Sequence, residues 1–143
     1  MTRMEHLTAE PIRLEPWHRQ PFDEKEGASV EFSGIVRGDD VGARVAALAY
    51  EAYEPMAERL IAGYVEQARA RWPLRQVRVA HRLGSVPAGA VAVFIGVRAS
   101  HRDHAFEGCR FLIEAIKRDV PIWKRELFDD AAAQPKENVY ADV

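Results

Sequence analysis

The sequence predicts an α+β domain, a largely antiparallel sheet with two main helices packed on one face. Three observations predict it. Apolar residues alternate with polar or apolar neighbours along 28–33 and 91–97, the period of a strand. They recur every three to four residues along 56–72 and 106–116, the period of a helix. Proline and glycine clusters separate the two kinds of segment. A chain of 143 residues, 48% hydrophobic and 29% charged, has the composition of a globular protein and buries roughly two-thirds of its unfolded surface on folding. No repeat, low-complexity tract or Gly/Ser linker divides it, so a single domain over 1–143 is expected, with a polar tail over 128–143 whose composition suits flexibility.

Taken in order, Ile12 and Leu14 alternate with polar neighbours and suggest a first strand ended by Pro16. Residues 27–37 read as a strand with Ala28, Val30 and Phe32 on one face and Ser29, Glu31 and Ser33 on the other. The Gly-Asp cluster at 38–42 is a turn, and 44–53 resumes as a strand, so the two are expected to form a hairpin. Pro55 suits the first turn of a helix whose stripe is Met56, Leu60, Tyr64, Ala68 and Trp72, stopped by Pro73. Val77 and Val79 mark a third strand, and 84–89 a loop. Residues 91–97 are apolar on both sides, as in a central strand covered on both faces. Ser100 and Asp103 then have capping-box spacing, with Asp103 itself an alternative cap, before a helix with the stripe Phe106, Cys109, Ile113 and Ile116. Pro121 stops that helix.

Composition also excludes function classes. A net charge of -2, from 20 basic and 22 acidic residues, provides no general field for gripping nucleic acid. Cys109 is the single cysteine, which rules out an internal disulfide or a Cys-rich metal site and fits a reducing compartment. No apolar run is long enough to cross a bilayer and no signal segment opens the chain, so a soluble, cytoplasmic protein is expected. No phosphate-binding Gly-rich loop, dinucleotide fingerprint or nucleophile elbow is present, and no matched ligand set suggests a metal.

What remains is a set of local cations. His101 and Arg102 stand where a buried strand gives way to a helix, a place whose free N–H groups favour an anion; position alone admits a phosphate clamp and a plain helix start equally. Arg37 ends a strand beside the Gly-Asp turn, where by itself a surface arginine is the simpler reading. Lys117, near a helix end and within reach of Glu114, is by itself more simply structural. Lys124 follows Pro-Ile-Trp, a stiff apolar setting that desolvates an amine and makes it a better acid, base or nucleophile. Cys109 lies on an apolar stripe and reads as a small buried hydrophobe. His81 shares the Val77/Val79 face and reads as a hydrogen-bonded, semi-buried histidine. Of the aromatics that could stack on a planar ligand, Trp123 alone is misplaced for core.

Five strings, GASVEFSGIVR at 27–37, YEAYEPMA at 50–57, HRLG at 81–84, ASHRDHAF at 99–106 and VPIWKRE at 120–126, together resemble the large, catalytic subunit of molybdopterin synthase, the MoaE family. Their order and spacing match over 27–126. The resemblance implies an α/β-hammerhead-like fold and a sulfurtransferase that converts cyclic pyranopterin monophosphate into molybdopterin, in molybdenum cofactor biosynthesis. It implies a small ubiquitin-like sulfur-carrier partner whose C-terminal thiocarboxylate supplies the sulfur, and no cofactor or metal. It makes Lys117 and Lys124 catalytic, and Arg37, His101 and Arg102 the pterin and phosphate set, with Phe32 lining the pocket. It further implies a homodimer in which the His-Arg pair reaches across the interface, flanked by two small subunits as a heterotetramer. The alternative is a non-catalytic module that binds a ubiquitin-like tail or a phosphorylated ligand. Gly108 and Glu114 stand where the family usually has Ala and Asp, and the tail lacks the family's Gly and Trp after the lysine motif.

Overall fold

The structure, a computed structural model, describes residues 4–40, 42–128 and the backbone of 137–139. In chain order the elements are β1 (Leu7–Thr8), α1 (Glu15–Arg19), β2 (Ala28–Ile35), β3 (Asp39–Asp40), β4 (Ala43–Ala52), α2 (Glu54–Arg71), β5 (Leu74–Arg82), β6 (Gly84–Pro87), β7 (Val91–Ala99), α3 (Arg102–Asp119), β8 (Ile122–Phe128) and β9 (Glu137–Val139). The architecture is α+β and largely antiparallel, as expected, but the described residues form two sheets. One has the order β1-β5-β7-β2, with only β1 parallel to its neighbour; the other runs β3-β4-β8-β9, with β6 also on β4. No helix among the described residues is long and apolar enough to cross a membrane.

β7 is the centre of the first sheet, between β5 and β2, and Ala92 to Ala99 are all buried. Val93, Ile95, Val97 and Ala99 join Cys109, Leu112 and Ile116 of α3 in the main core, and Val30 and Phe32 lie opposite Val97 and Ile95 on that same face. The other face receives Trp17 of α1. A Cβ at Gly96 would stand 2.6 Å from the Trp17 ring, so only glycine lets the indole pack this close to the strand. Arg98, 1% exposed, clips the incoming segment down: Nη2 donates to the Trp17 carbonyl at 3.0 Å, Nη1 to the Pro21 carbonyl at 3.3 Å, and the guanidinium lies 4.0 Å from the Phe22 ring centre. On α2, the buried Glu58 carboxylate accepts the backbone N–H groups of Glu5, His6 and Leu7, fixing β1 to the edge of the sheet.

Several expectations need correcting. Ile12 and Leu14 form no strand: Pro16 sits in the first turn of α1, and the extended pairing comes earlier, at Leu7 and Thr8 against His81 and Arg82. The strands over 27–37 and 44–53 do not make a hairpin. β2 pairs with β7, whose apolar flanks need a partner on each side, whereas β4 pairs with β6 and β8. A bulge at Gly34/Ile35 turns the chain between the sheets, and the hairpin that does form is the short β3–β4 pair closed near Gly42, at φ 79°. The expected loop at 84–89 contains β6. The capping box is not made: His101 is the cap residue of α3 and no side chain caps it. Both helix stripes hold except at their first residue: Leu60, Tyr64, Ala68 and the cap residue Trp72 on α2 and Cys109, Ile113 and Ile116 on α3 are buried in or packed against the core. Met56 and Phe106 are exposed, and the fully buried positions are Ala57, Glu58, Ile61 and Ala68 on α2 and Ala105, Gly108, Cys109, Leu112, Ala115 and Ile116 on α3. Gly108 has a packing reason, since a Cβ there would come within 2.9 Å of Leu74. The tail positions 129–136 and 140–143 lie outside the described residues.

Candidate active site

The cations singled out by the sequence separate into two groups at opposite ends of the first sheet. α3 starts where β7 ends, and its 18 residues, about 27 Å at 1.5 Å each, run back along nine residues of strand to the start of β7. Lys117 lies in the last turn of α3, half-buried. Arg37, exposed, is at that end too, because the neighbouring Val36 N–H donates to the Ala90 carbonyl just before β7 begins. Pro121 ends the helix, its carbonyl accepts the Tyr53 N–H, and the chain enters β8 beside the end of β4.

β8 alternates in an unusual sense. Ile122, Lys124 and Glu126 face inward and are buried, while Trp123 and Arg125 face out. Lys124 is only 9% exposed. Directly across the ladder from it is Tyr50 of β4, 2% exposed, whose ring meets the His81 ring edge-on at 5.1 Å. Lys124, Tyr50 and His81 thus link the second sheet to the first near Val93, the partner of His81. Burial holds His81 neutral, its pKa pushed down to about 4, and its Nδ1 lies 2.9 Å from the Arg82 carbonyl. Burial likewise pushes the Tyr50 phenol up to about 12. The semi-buried histidine of the sequence reading is therefore a fully buried one.

His101 and Arg102 are at the other end, both exposed. With Gly27, Ser100, Asp103 and His104 they line a recess of about 360 Å³. Gly27 allows the close approach, since a Cβ there would lie 2.3 Å from the Ser100 carbonyl oxygen. The first-turn N–H groups of α3 open here. From Arg102 to Lys117 is 15 helical steps, about 22 Å along the axis. One copy of the chain therefore keeps its His-Arg pair away from its lysines. Phe32 lies between the groups, half-buried against the core opposite Ile95.

Cys109 is 5% exposed and its thiol is pushed up to about 11 by burial, so it is protonated at neutral pH and a poor nucleophile. Among the described residues no three His, Cys, Asp or Glu side chains are grouped to hold a metal ion. Sequence reasoning did not find β8 as a strand, nor Glu126 and Tyr50 beside Lys124. The signal was present as Ile-x-Lys-x-Glu, a period-two stripe whose inward members are mostly polar.

The family model described as MoaE protein matches residues 7–119. A molybdopterin synthase catalytic subunit from Oryza sativa subsp. indica is 45% identical over 116 residues, which is 81% of this chain and 60% of that protein; the chain thus spans less than two-thirds of the rice relative. One from Escherichia coli is 42% identical over 78% of this chain and 73% of its own length. A crystal structure of molybdopterin synthase from Staphylococcus aureus superposes with a TM-score of 0.85 at 34% identity, covering 96% of this chain and 98% of that one. Family model, relatives and fold agree that this chain belongs to the MoaE protein family.

Proposed function

We propose that this chain is the catalytic subunit of a molybdopterin synthase, a sulfurtransferase that uses the C-terminal thiocarboxylate of a small ubiquitin-like partner to build the dithiolene of molybdopterin from cyclic pyranopterin monophosphate. The observation that carries the reading is Lys124, a lysine held 9% exposed on the inward face of β8, at the same end of the sheet as Lys117 and Arg37. An amine kept from water interacts strongly with an anion and is poised to move a proton. Family membership supports the same assignment.

The chemistry suits these groups. A phosphate and a thiocarboxylate repel each other, and cations must bring them together. The thiocarboxylate sulfur attacks an oxygen-bearing side-chain carbon of the pterin, forming a C–S bond and a thioester to the partner's tail while the C–O bond at that carbon breaks and its oxygen leaves with the electron pair, on the phosphate or, once protonated, as water. Water then cleaves the thioester, leaving sulfur on the pterin and a carboxylate on the partner. Lys124 and Lys117 polarise the acyl oxygen and shuttle the protons of these steps. The reaction occurs twice, with the partner exchanged between rounds, while Arg37, His101 and Arg102 hold the pterin phosphate. The unreactive Cys109 supports an external sulfur donor.

The span of about 22 Å between Arg102 and Lys117 supports a homodimer in which each site takes its lysines and Arg37 from one copy and its His-Arg pair from the other. With one small subunit per site the assembly is a heterotetramer. The test is Lys124→Ala in a reaction reconstituted from the thiocarboxylated small subunit and the pterin. Loss of product with retained binding of the small subunit is expected; near-normal turnover would refute the role of Lys124, and docking without turnover by the unaltered chain would favour a non-catalytic binding module.

A further inference from the structure

We propose that Tyr50 is a positioning residue for Lys124, its phenol oxygen accepting a hydrogen bond from the lysine ammonium as that group turns to the substrate; this rests on the catalytic reading of Lys124 above. Tyr50 and Lys124 are direct partners across the β4–β8 ladder, so their side chains leave the same face with Cβ atoms about 4.5–5.5 Å apart. Both are buried. On the other edge of β4 the backbone partner of Tyr50 is Gly84 of β6, and the Tyr50 ring, 2% exposed, is held edge-on by His81. A ring fixed on these sides places its oxygen before any ligand arrives.

The hydroxyl itself has no hydrogen-bond partner among the described residues. A buried hydroxyl in that state weakens the fold, and phenylalanine would fill the same space without the penalty. The O–H group therefore does not stabilise the isolated chain; His81 stands edge-on to the ring, and the cross-strand Lys124 brings an ammonium with three donors to the same face. Hydrogen bonds of this kind are often unmade in a ligand-free site and close in the complex.

The experiment is Tyr50→Phe beside Lys124→Ala, both in the reconstituted reaction, with thermal unfolding of each chain. Tyr50→Phe is expected to unfold no earlier than the unaltered chain and to keep its KM for the small subunit. Its kcat is expected to fall about tenfold, the factor carried by one hydrogen bond of ordinary strength. Full kcat in Tyr50→Phe with an inactive Lys124→Ala overturns the assignment of Tyr50 and leaves that of Lys124 standing. A Tyr50→Phe chain that loses stability along with activity overturns it as well, because the hydroxyl would then be structural. An active Lys124→Ala removes both.

Discussion

Mixing two inactive variants of this chain is expected to restore activity, because the two halves of the proposed site sit at opposite ends of α3. The variants are Lys124→Ala, which damages the lysine half, and Arg102→Ala, which damages the phosphate half. In either homodimer every site has one damaged half. In a mixed dimer one site collects both defects and the other collects none. Random pairing of equal amounts makes half of the dimers mixed, so about one-quarter of all sites are intact and turnover per chain reaches about one-quarter of the unaltered level. The distance behind this is the 15 helical steps from Arg102 to Lys117, about 22 Å, which one chain cannot fold away without breaking α3. The assay co-expresses the two variants with different tags, isolates the doubly tagged dimer and measures product formation with the thiocarboxylated small subunit; in that purified dimer one site of two is intact, so turnover per chain is expected to rise to about one-half of the unaltered level. Activity no greater than that of the separate variants would refute the shared site.

Three further outcomes follow from the packing. Gly96→Ala drives a methyl group to 2.6 Å from the buried Trp17 ring, which Arg98 holds in place, and is expected to lose about 1–3 kcal/mol by urea unfolding; an unchanged midpoint would contradict the packing. His81 stays neutral in the folded chain down to about pH 4 but titrates near 6.5 when unfolded. The unfolded chain therefore binds the extra proton first, and stability contributed by this residue falls as pH drops from 6.5 to 4, by about 3 kcal/mol in all, then levels off. Denaturant unfolding at stepped pH, with His81→Asn as the comparison that loses this slope, checks it. Cys109→Ala is expected to lose about 1 kcal/mol of stability and none of the turnover, and the native thiol to resist alkylation at pH 7; a fall in turnover would make the thiol a sulfur carrier.

β7 was legible in the sequence because a strand covered on both faces must be apolar at every position, and 91–97 nearly are. The two long helices were legible from apolar residues recurring every three to four positions, and Pro73 and Pro121 marked their ends. Which face each helix buries was harder: Met56 and Phe106 fit the period, yet the small residues Ala57, Ala105 and Gly108 let the helices approach closely and so occupy the centre of contact. Strand pairing is a long-range choice, and the turn at 38–42 looked like a hairpin because nothing local shows that β2 is claimed by β7 and β4 by β8. β8 was hidden by its inverted pattern, with Lys124 and Glu126 inside and Trp123 outside. The candidate residues were legible through motif resemblance, and their separation into two groups became visible only with the length and direction of α3.

The most direct measurement is sulfur transfer itself: the purified chain, the small subunit thiocarboxylated with labelled sulfur, and cyclic pyranopterin monophosphate, followed by mass spectrometry of the pterin and of the partner's C-terminus. A pterin carrying two labelled sulfurs is expected, with one partner tail returned to a plain carboxylate for each sulfur gained. An unlabelled pterin, or label retained on Cys109, would contradict it.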